Sequence, residues 1–179
     1  MPHTLTSVPL AFWHDRRGTA AIEFAGTAML LILGIANSAD LANYALKRMD
    51  VDNAAHVAAQ AAWKTCSDSS MLPATENCAS LNAAIAAAMQ STSLGTSVHL
   101  ASNYPAEAYY CVTSSNNLQA VGSLASKPAD CSAVGSAGTS PGDYITIQVN
   151  YTYTPLFGLS VIGALGMQSI RMTSWMRLG

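Results

Sequence analysis

The chain carries little charge and has no long cationic stretch. Lys, Arg, Asp and Glu together make up 10% of its 179 residues, and half of the residues are hydrophobic. A soluble globular domain usually carries about 25% charged residues, so the composition argues against a free cytosolic protein. The net charge is −2, and Lys127 is the only basic residue between positions 69 and 170. We therefore expect no nucleic-acid partner.

Motifs for catalysis and for cofactor or metal binding are also scarce. No cysteine pair has the short spacing of a zinc site, and no glycine-rich loop carries the Lys and Ser/Thr of a phosphate cradle. Residues 138–142 read GTSPG and match the G-x-S-x-G nucleophile elbow, but Pro141 lacks the N–H that an oxyanion hole needs there. His56 and His99 have no evident nucleophile and carboxylate beside them. The sequence predicts no enzyme, no cofactor and no metal.

Proline is absent between Pro9 and Pro73, which permits a long helix. Residues 19–36 form an almost wholly apolar run of 18 residues, the lower end of what spans a bilayer as a helix. Apolar and small residues then recur at roughly helical spacing as far as Trp63. The pattern predicts one helix from Thr19 to about Lys64, about 70 Å long, with its first part in lipid and its second part packed on the exported domain.

Two arginines fix the predicted orientation of this helix. Arg16 and Arg17 directly precede the apolar run, and the next basic residue is Lys47. The positive-inside rule therefore places residues 1–17 in the cytoplasm and the remainder outside. A secretory signal peptide would be cut after its apolar run. Small residues follow the run at 36–39, so cleavage there is the alternative.

An acidic residue, Glu23, lies inside the apolar run, five residues after Gly18. A carboxylate at the centre of a membrane helix costs on the order of 2.5–3.5 kcal/mol, and even near the helix end it indicates a functional role. Residues 16–24, RRGTAAIEF, resemble the cleavage site of type IV prepilins, and most of all that of the TadE-like minor pilins of tight-adherence (Tad) pilus systems. In that family a membrane aspartic peptidase cuts after the glycine.

The resemblance implies that Thr19 becomes the new N-terminus, that Glu23 is the fifth mature residue, and that Phe24 occupies a position where many Tad pilins carry an aromatic residue. Glycine at position 18 lets a peptidase approach the backbone closely. The Glu23 carboxylate would then pair with the Thr19 ammonium of a neighbouring subunit and set the stagger of the two chains. The alternative interpretation is that Glu23 reaches to the headgroup level and has no role in assembly.

The resemblance also implies a function and its partners. The chain would be a minor pilin that primes or caps assembly of a Tad-type adhesive pilus, with a prepilin peptidase, other pilins, the Tad inner-membrane machinery and membrane lipid as partners. Residues 1–18 would be a cleaved leader, 19–39 a single inner-membrane span, and 40–179 a domain that resides in the periplasm and then on the pilus. The alternative is a membrane-anchored or pilus-tip adhesin, with a long Ser/Gly-rich loop at 114–142 as its recognition surface.

Four cysteines, Cys66, Cys78, Cys111 and Cys131, all follow the apolar run. An even number on one side of a membrane segment indicates two disulfides in an oxidising compartment, with buried free thiols as the alternative. A Cys66–Cys78 bond would join two helices, and a Cys111–Cys131 bond would tether the long loop.

The exported part is expected to be α+β and pilin-like, with the long N-terminal helix and a second helix packed on a small antiparallel sheet. The expected elements are a helix at about 76–90, a hairpin of strands 97–104 and 106–113 that turns near Pro105, and strands 144–154 and 169–178. The apolar residues 156–166 are too few to span a membrane. We expect them to form a loop packed into the core, although contact with the membrane surface or another subunit is the alternative.

Overall fold

The computed structural model describes residues 17–158 and 160–179. Its first element is helix α1 (Arg17–Cys66), 50 residues long, which confirms the predicted long helix. Within the described residues, this helix alone is long and apolar enough to cross a membrane, and its most apolar 18-residue stretch is wholly unburied. The predicted leader, including Arg16, lies outside the described residues apart from its last two positions, and of Arg17 only the backbone is described.

The fold is α+β, as predicted, with five strands that pair antiparallel in one sheet. They are β1 (Val98–Leu100), β2 (Ala106–Val112), β3 (Leu118–Val121), β4 (Gly142–Thr152) and β5 (Ser169–Arg177). The two strands predicted near the C-terminus are confirmed as β4 and β5. They pair over nine residues, from Tyr144–Arg177 to Thr152–Ser169.

The predicted hairpin of the first two strands is wrong. β1 pairs with residues 149–151 of β4, and β2 pairs with residues 142–146 of the same strand. Because β5 covers the other edge of β4, β1 and β2 follow one another along a single edge and do not face each other. The 11-residue β4 is long enough to hold both strands, and β3 then pairs with β2 at the outer edge.

The core lies between the second half of α1, the sheet and a helix at Leu81–Gln90. The α1 side consists of small residues at helical spacing, all with no exposed surface: Val51, Ala54, Ala55, Ala58, Ala59 and Ala62. They meet buried Ile145, Ile147 and Val149 of β4. Small side chains let the helix backbone approach the sheet closely, so the second half of α1 packs firmly on the domain, whereas its most apolar 18-residue stretch is unburied.

The predicted second helix is interrupted. Helix α2 (Ala74–Asn77) ends before Cys78, and α3 (Leu81–Gln90) begins three residues later, with Leu81, Ile85 and Met89 buried. A disulfide joins Cys78 to Cys66 at the end of α1. The bond fixes the chain between α2 and α3, where we expected a continuous helix. The second predicted bond, Cys111–Cys131, is also present, and the alternative of free thiols is wrong.

Two loop predictions need correction. The segment 114–142 is not wholly irregular, because it contains β3 and a short 3₁₀ turn at Ser132–Val134. The segment 156–166 does not pack into the core as expected. It contains the short helix α4 (Val161–Ala164), in which Ile162 is buried, while most of the large apolar side chains around it are exposed.

Candidate functional site

The residues of the expected cleavage and assembly motif all lie in the first turns of α1. Gly18, Thr19, Glu23 and Phe24 are exposed, and the Phe24 side chain retains 76% of its surface. The Glu23 carbonyl accepts a hydrogen bond from the Thr27 hydroxyl (2.9 Å). The Glu23 carboxylate forms no salt bridge with any residue that the structure describes. Because Glu23 is exposed, a group of another chain can reach its carboxylate.

The helix face that carries Glu23 continues towards the C-terminus as an apolar face beside the folded domain. Leu41 lies 18 residues after Glu23, which is five whole turns at 3.6 residues per turn, so both side chains point the same way. Ala45 and Met49 follow at one-turn intervals on this side, and all three are exposed. Leu41 retains 56% and Met49 60% of their surface. We call Leu41, Ala45 and Met49 the exposed α1 face.

The exposed α1 face borders a shallow cavity of about 470 Å³, lined by Ala45, Arg48, Met49, Asp52 and Met172. The cavity lies where α1 meets β5, so its walls come from both the helix and the sheet. Such a site can receive apolar side chains of another helix, and Arg48 and Asp52 in its lining can make polar contacts.

A buried acid fixes the domain to α1 at the level where the apolar run ends. The Asp40 carboxylate has no exposed surface. It accepts hydrogen bonds from the Tyr153 hydroxyl (2.7 Å), from the Leu156 N–H (2.8 Å) and from the Ser160 hydroxyl. The Ser160 bond, with those to Leu156 and Tyr153, holds the pKa of Asp40 below its usual value although burial opposes this. We call these four residues the Asp40 clamp.

Two asparagines extend the clamp along the helix. Asn37 Oδ1 accepts a hydrogen bond from the Val161 N–H (2.9 Å), and Asn43 Nδ2 donates to the Tyr153 hydroxyl (3.1 Å). Sequence reasoning missed Asp40 altogether. The available signal was an acid four residues beyond an apolar run, where charge is costly unless hydrogen bonds satisfy it.

Two further buried acids, Glu107 and Asp143, lie together elsewhere in the domain. Glu107 accepts hydrogen bonds from the N–H groups of Ala74 and Thr75 (2.7 Å each) and from the Thr75 hydroxyl (2.6 Å). Burial, and then the neighbouring Glu107 carboxylate, raise the pKa of Asp143 to about 7. Neither oxygen of Asp143 has a partner as an ionised group, whereas a protonated Asp143 can donate to Glu107.

The structure also brings together three residues that sequence reasoning kept apart. The Ser174 hydroxyl lies 3.0 Å from Nδ1 of His56, and Nε2 of His56 lies 3.8 Å from Asp52. The order of groups is that of a catalytic triad. However, Ser174 is only 2% exposed, so a substrate carbonyl has no route to its hydroxyl, and 3.8 Å exceeds hydrogen-bond distance. We infer that the contact ties β5 to α1.

The G-x-S-x-G segment is a turn. Gly138 has φ +79°, the Thr139 N–H donates to the Ser136 carbonyl, and strand β4 follows directly. A nucleophile elbow leads from a strand into a helix, and this one does not. Within the described residues no group of three or more His, Cys, Asp or Glu side chains is arranged to hold a metal ion.

The outer face of the sheet, opposite α1, carries a cluster of aromatic side chains. The Tyr110 ring makes edge-to-face contacts with Trp175 (centroids 5.3 Å apart) and with Tyr144 (5.6 Å). Trp175 is 50% exposed. Sequence reasoning did not single out this cluster, since its three members come from three separate strands.

Comparison with protein-family models, with curated proteins and with solved structures finds no match.

Proposed function

We propose that this chain is a non-enzymatic minor pilin of the TadE-like kind, cut after Gly18 by a prepilin peptidase and assembled into a Tad-type pilus as a primer or cap. Its partners are other pilins, the inner-membrane assembly machinery and membrane lipid. Before assembly it spans the inner membrane once, with its N-terminus in the cytoplasm and its domain in the periplasm. The two disulfides fit that oxidising compartment.

One observation carries the proposal: a single unbroken helix joins the cleavage motif to the exported domain, with Glu23 and the exposed α1 face on the same side. A subunit that packs through this face brings its own Thr19 ammonium towards the Glu23 carboxylate of its neighbour. In lipid the unpaired carboxylate is penalised, so the register in which the charges meet is favoured over others. Above the membrane, the same contact would bury the apolar side chains of Leu41 and Met49.

The test of the pairing is incorporation of Glu23 variants into fibres. Glu23→Ala and Glu23→Gln are expected to leave cleavage largely intact and to lower the amount of the chain in sheared fibres, because either change removes the charge that pairs with the ammonium. Gly18→Trp is expected to leave the leader attached. Normal incorporation of both Glu23 variants would refute the pairing.

The exposed α1 face offers a second test with a matched control. Ala45→Trp places a bulky ring on this face without touching the core, whereas Leu46→Trp places the same ring at an exposed position about 100° further round the same helix. We expect Ala45→Trp to lower fibre incorporation and Leu46→Trp to leave it unchanged, with equal unfolding temperatures for both. Equal incorporation of the two variants would show that α1 packs through another face.

The aromatic cluster of Tyr110, Tyr144 and Trp175 favours a second candidate function, that of a membrane-anchored or pilus-tip adhesin. Exposed aromatic rings supply rigid contact area for binding at little entropic cost. In this case Trp175→Ala would lower cell adhesion while leaving fibre number and incorporation unchanged. A loss of adhesion that only follows a loss of fibres would favour the structural role.

A further inference from the structure

The connection between β4 and β5 is an apolar surface with no charge. Residues 154–168 contain no Asp, Glu, Lys, Arg or His. Within this connection, which we call the β4–β5 loop (residues 155–168, without Leu159, which is not described), the large apolar side chains are exposed with one exception. The exposed ones are Leu156 59%, Phe157 45%, Val161 53%, Leu165 66% and Met167 42%. The exception, Ile162, is 3% exposed and anchors the loop to the core.

Hydrogen bonds hold the β4–β5 loop at one defined height along α1. The Val161 N–H donates to Asn37, while the Leu156 N–H and the Ser160 hydroxyl donate to Asp40. The loop is therefore level with residues 37–40 of the helix and cannot slide along it without breaking these bonds.

The same height is where the bilayer boundary is expected. The apolar run of 18 residues from Thr19 to Ala36 spans about 27 Å at 1.5 Å per residue, close to the roughly 30 Å hydrocarbon thickness of a bilayer. Residues 37–40 thus come directly after the hydrocarbon region, at the headgroup and upper acyl level. A loop fixed beside them meets the same layer.

The chemistry of the loop suits this layer. Apolar side chains there lose contact with water, and the absence of charge removes the cost of desolvating ions. The loop folds around an open cavity of about 510 Å³, lined largely by Pro155, Phe157, Val161, Ala164 and Gln168, which offers space for parts of lipid molecules. In water the exposed apolar side chains would form a patch of the kind that marks an interaction surface.

We propose that the β4–β5 loop inserts into the outer headgroup and acyl boundary of the bilayer that α1 crosses, as a second membrane contact of the exported domain. The inference rests on the membrane span in the proposed function. Through the Asp40 clamp, the inserted loop fixes the tilt and rotation of the domain over the membrane. The exposed α1 face is thereby presented to neighbouring chains in one orientation.

The test is depth-dependent fluorescence quenching of the full chain in phosphatidylcholine nanodiscs that contain lipids brominated at shallow acyl positions. Phe157→Trp reports on the loop. Leu118→Trp is the matched control, since Leu118 is 48% exposed against 45% for Phe157 and lies on the outer strand β3. Ile32→Trp reports on the span itself. Each signal is taken as the difference from the unsubstituted chain, which contains three tryptophans.

We expect brominated lipid to quench the added emission of Phe157→Trp and Ile32→Trp roughly twofold, as for side chains buried at the interface, and to leave that of Leu118→Trp unchanged. If Ile32→Trp is quenched but Phe157→Trp behaves like Leu118→Trp, the loop proposal fails while the span stands. If Ile32→Trp is not quenched, the span itself fails, and the loop proposal with it. If Phe157→Trp is shielded both from brominated lipid and from aqueous iodide, another protein surface covers the loop and the lipid proposal is overturned.

Discussion

The Asp40 clamp is expected to hold the folded domain on α1, and removal of a single hydroxyl group tests this. In Tyr153→Phe the ring stays in its buried site, so its packing against Tyr44 (centroids 5.3 Å apart) is retained. What is lost is the hydrogen bond to the Asp40 carboxylate and the acceptor for Asn43. A hydrogen bond to a charged group is worth about 1.5–3 kcal/mol, so we expect a loss of about 2 kcal/mol in the free energy of unfolding.

For a folded domain of about 140 residues, this loss corresponds to a fall of about 6–8 °C in unfolding temperature. The assay is thermal unfolding of the full chain in detergent micelles, followed by near-ultraviolet circular dichroism. Tyr44→Phe is the matched control, because it removes a hydroxyl from the same ring pair, and that hydroxyl makes no hydrogen bond with the described residues. A fall of the same size in both variants, or in neither, would refute the assigned role of the Tyr153 hydroxyl.

Three further predictions concern the domain. Replacing Cys66 and Cys78 together by serine opens a bond that spans 12 residues and is expected to cost about 3 kcal/mol, measured by urea unfolding with and without reductant; an unchanged midpoint would contradict it. Burial raises the pKa of Asp143 to about 7, above its unfolded value of about 3.9. Between these values the folded state retains a proton that the unfolded state has released, so stability should fall as pH rises from about 4 to 7. Asp143→Asn should flatten this decline and raise stability at pH 8, because it removes the buried negative charge. An equally steep decline in the variant would exclude Asp143 as its source. Finally, Ala58→Leu should lower the free energy of unfolding by about 1–3 kcal/mol through overpacking, whereas Ala42→Leu on the exposed side of α1 should change it little. Equal effects would mean that the helix does not pack as described.

Local sequence patterns predicted those elements whose own residues determine them. The first helix followed from the absence of proline and the helical spacing of small and apolar residues, and β4 followed from strict alternation. The strand order did not follow, because pairing between β1 and residues 149–151 joins segments about 50 residues apart. Alternation shows that a strand has two faces, but it does not show which strand lies beside it.

Polar contacts were harder to predict than elements. The Asp40 clamp joins residues that lie more than 110 positions apart, and His56 meets Ser174 across 118 positions. No periodicity links such residues. The position of the apolar segment after β4 was equally hard to predict. Its hydrophobicity is evident in the sequence and favours the core. Its hydrogen bonds to Asp40, which hold it beside the end of the apolar run, are not evident.

The first residue of the mature chain is the most direct measure of the central claim, that proteolysis after Gly18 frees the amine that Glu23 of a neighbour receives. Protein recovered from sheared fibres can be sequenced from its N-terminus by mass spectrometry. We expect a chain that starts at Thr19. Fibres that carry the chain with its leader attached, or with a first residue beyond Ala36, would contradict the account.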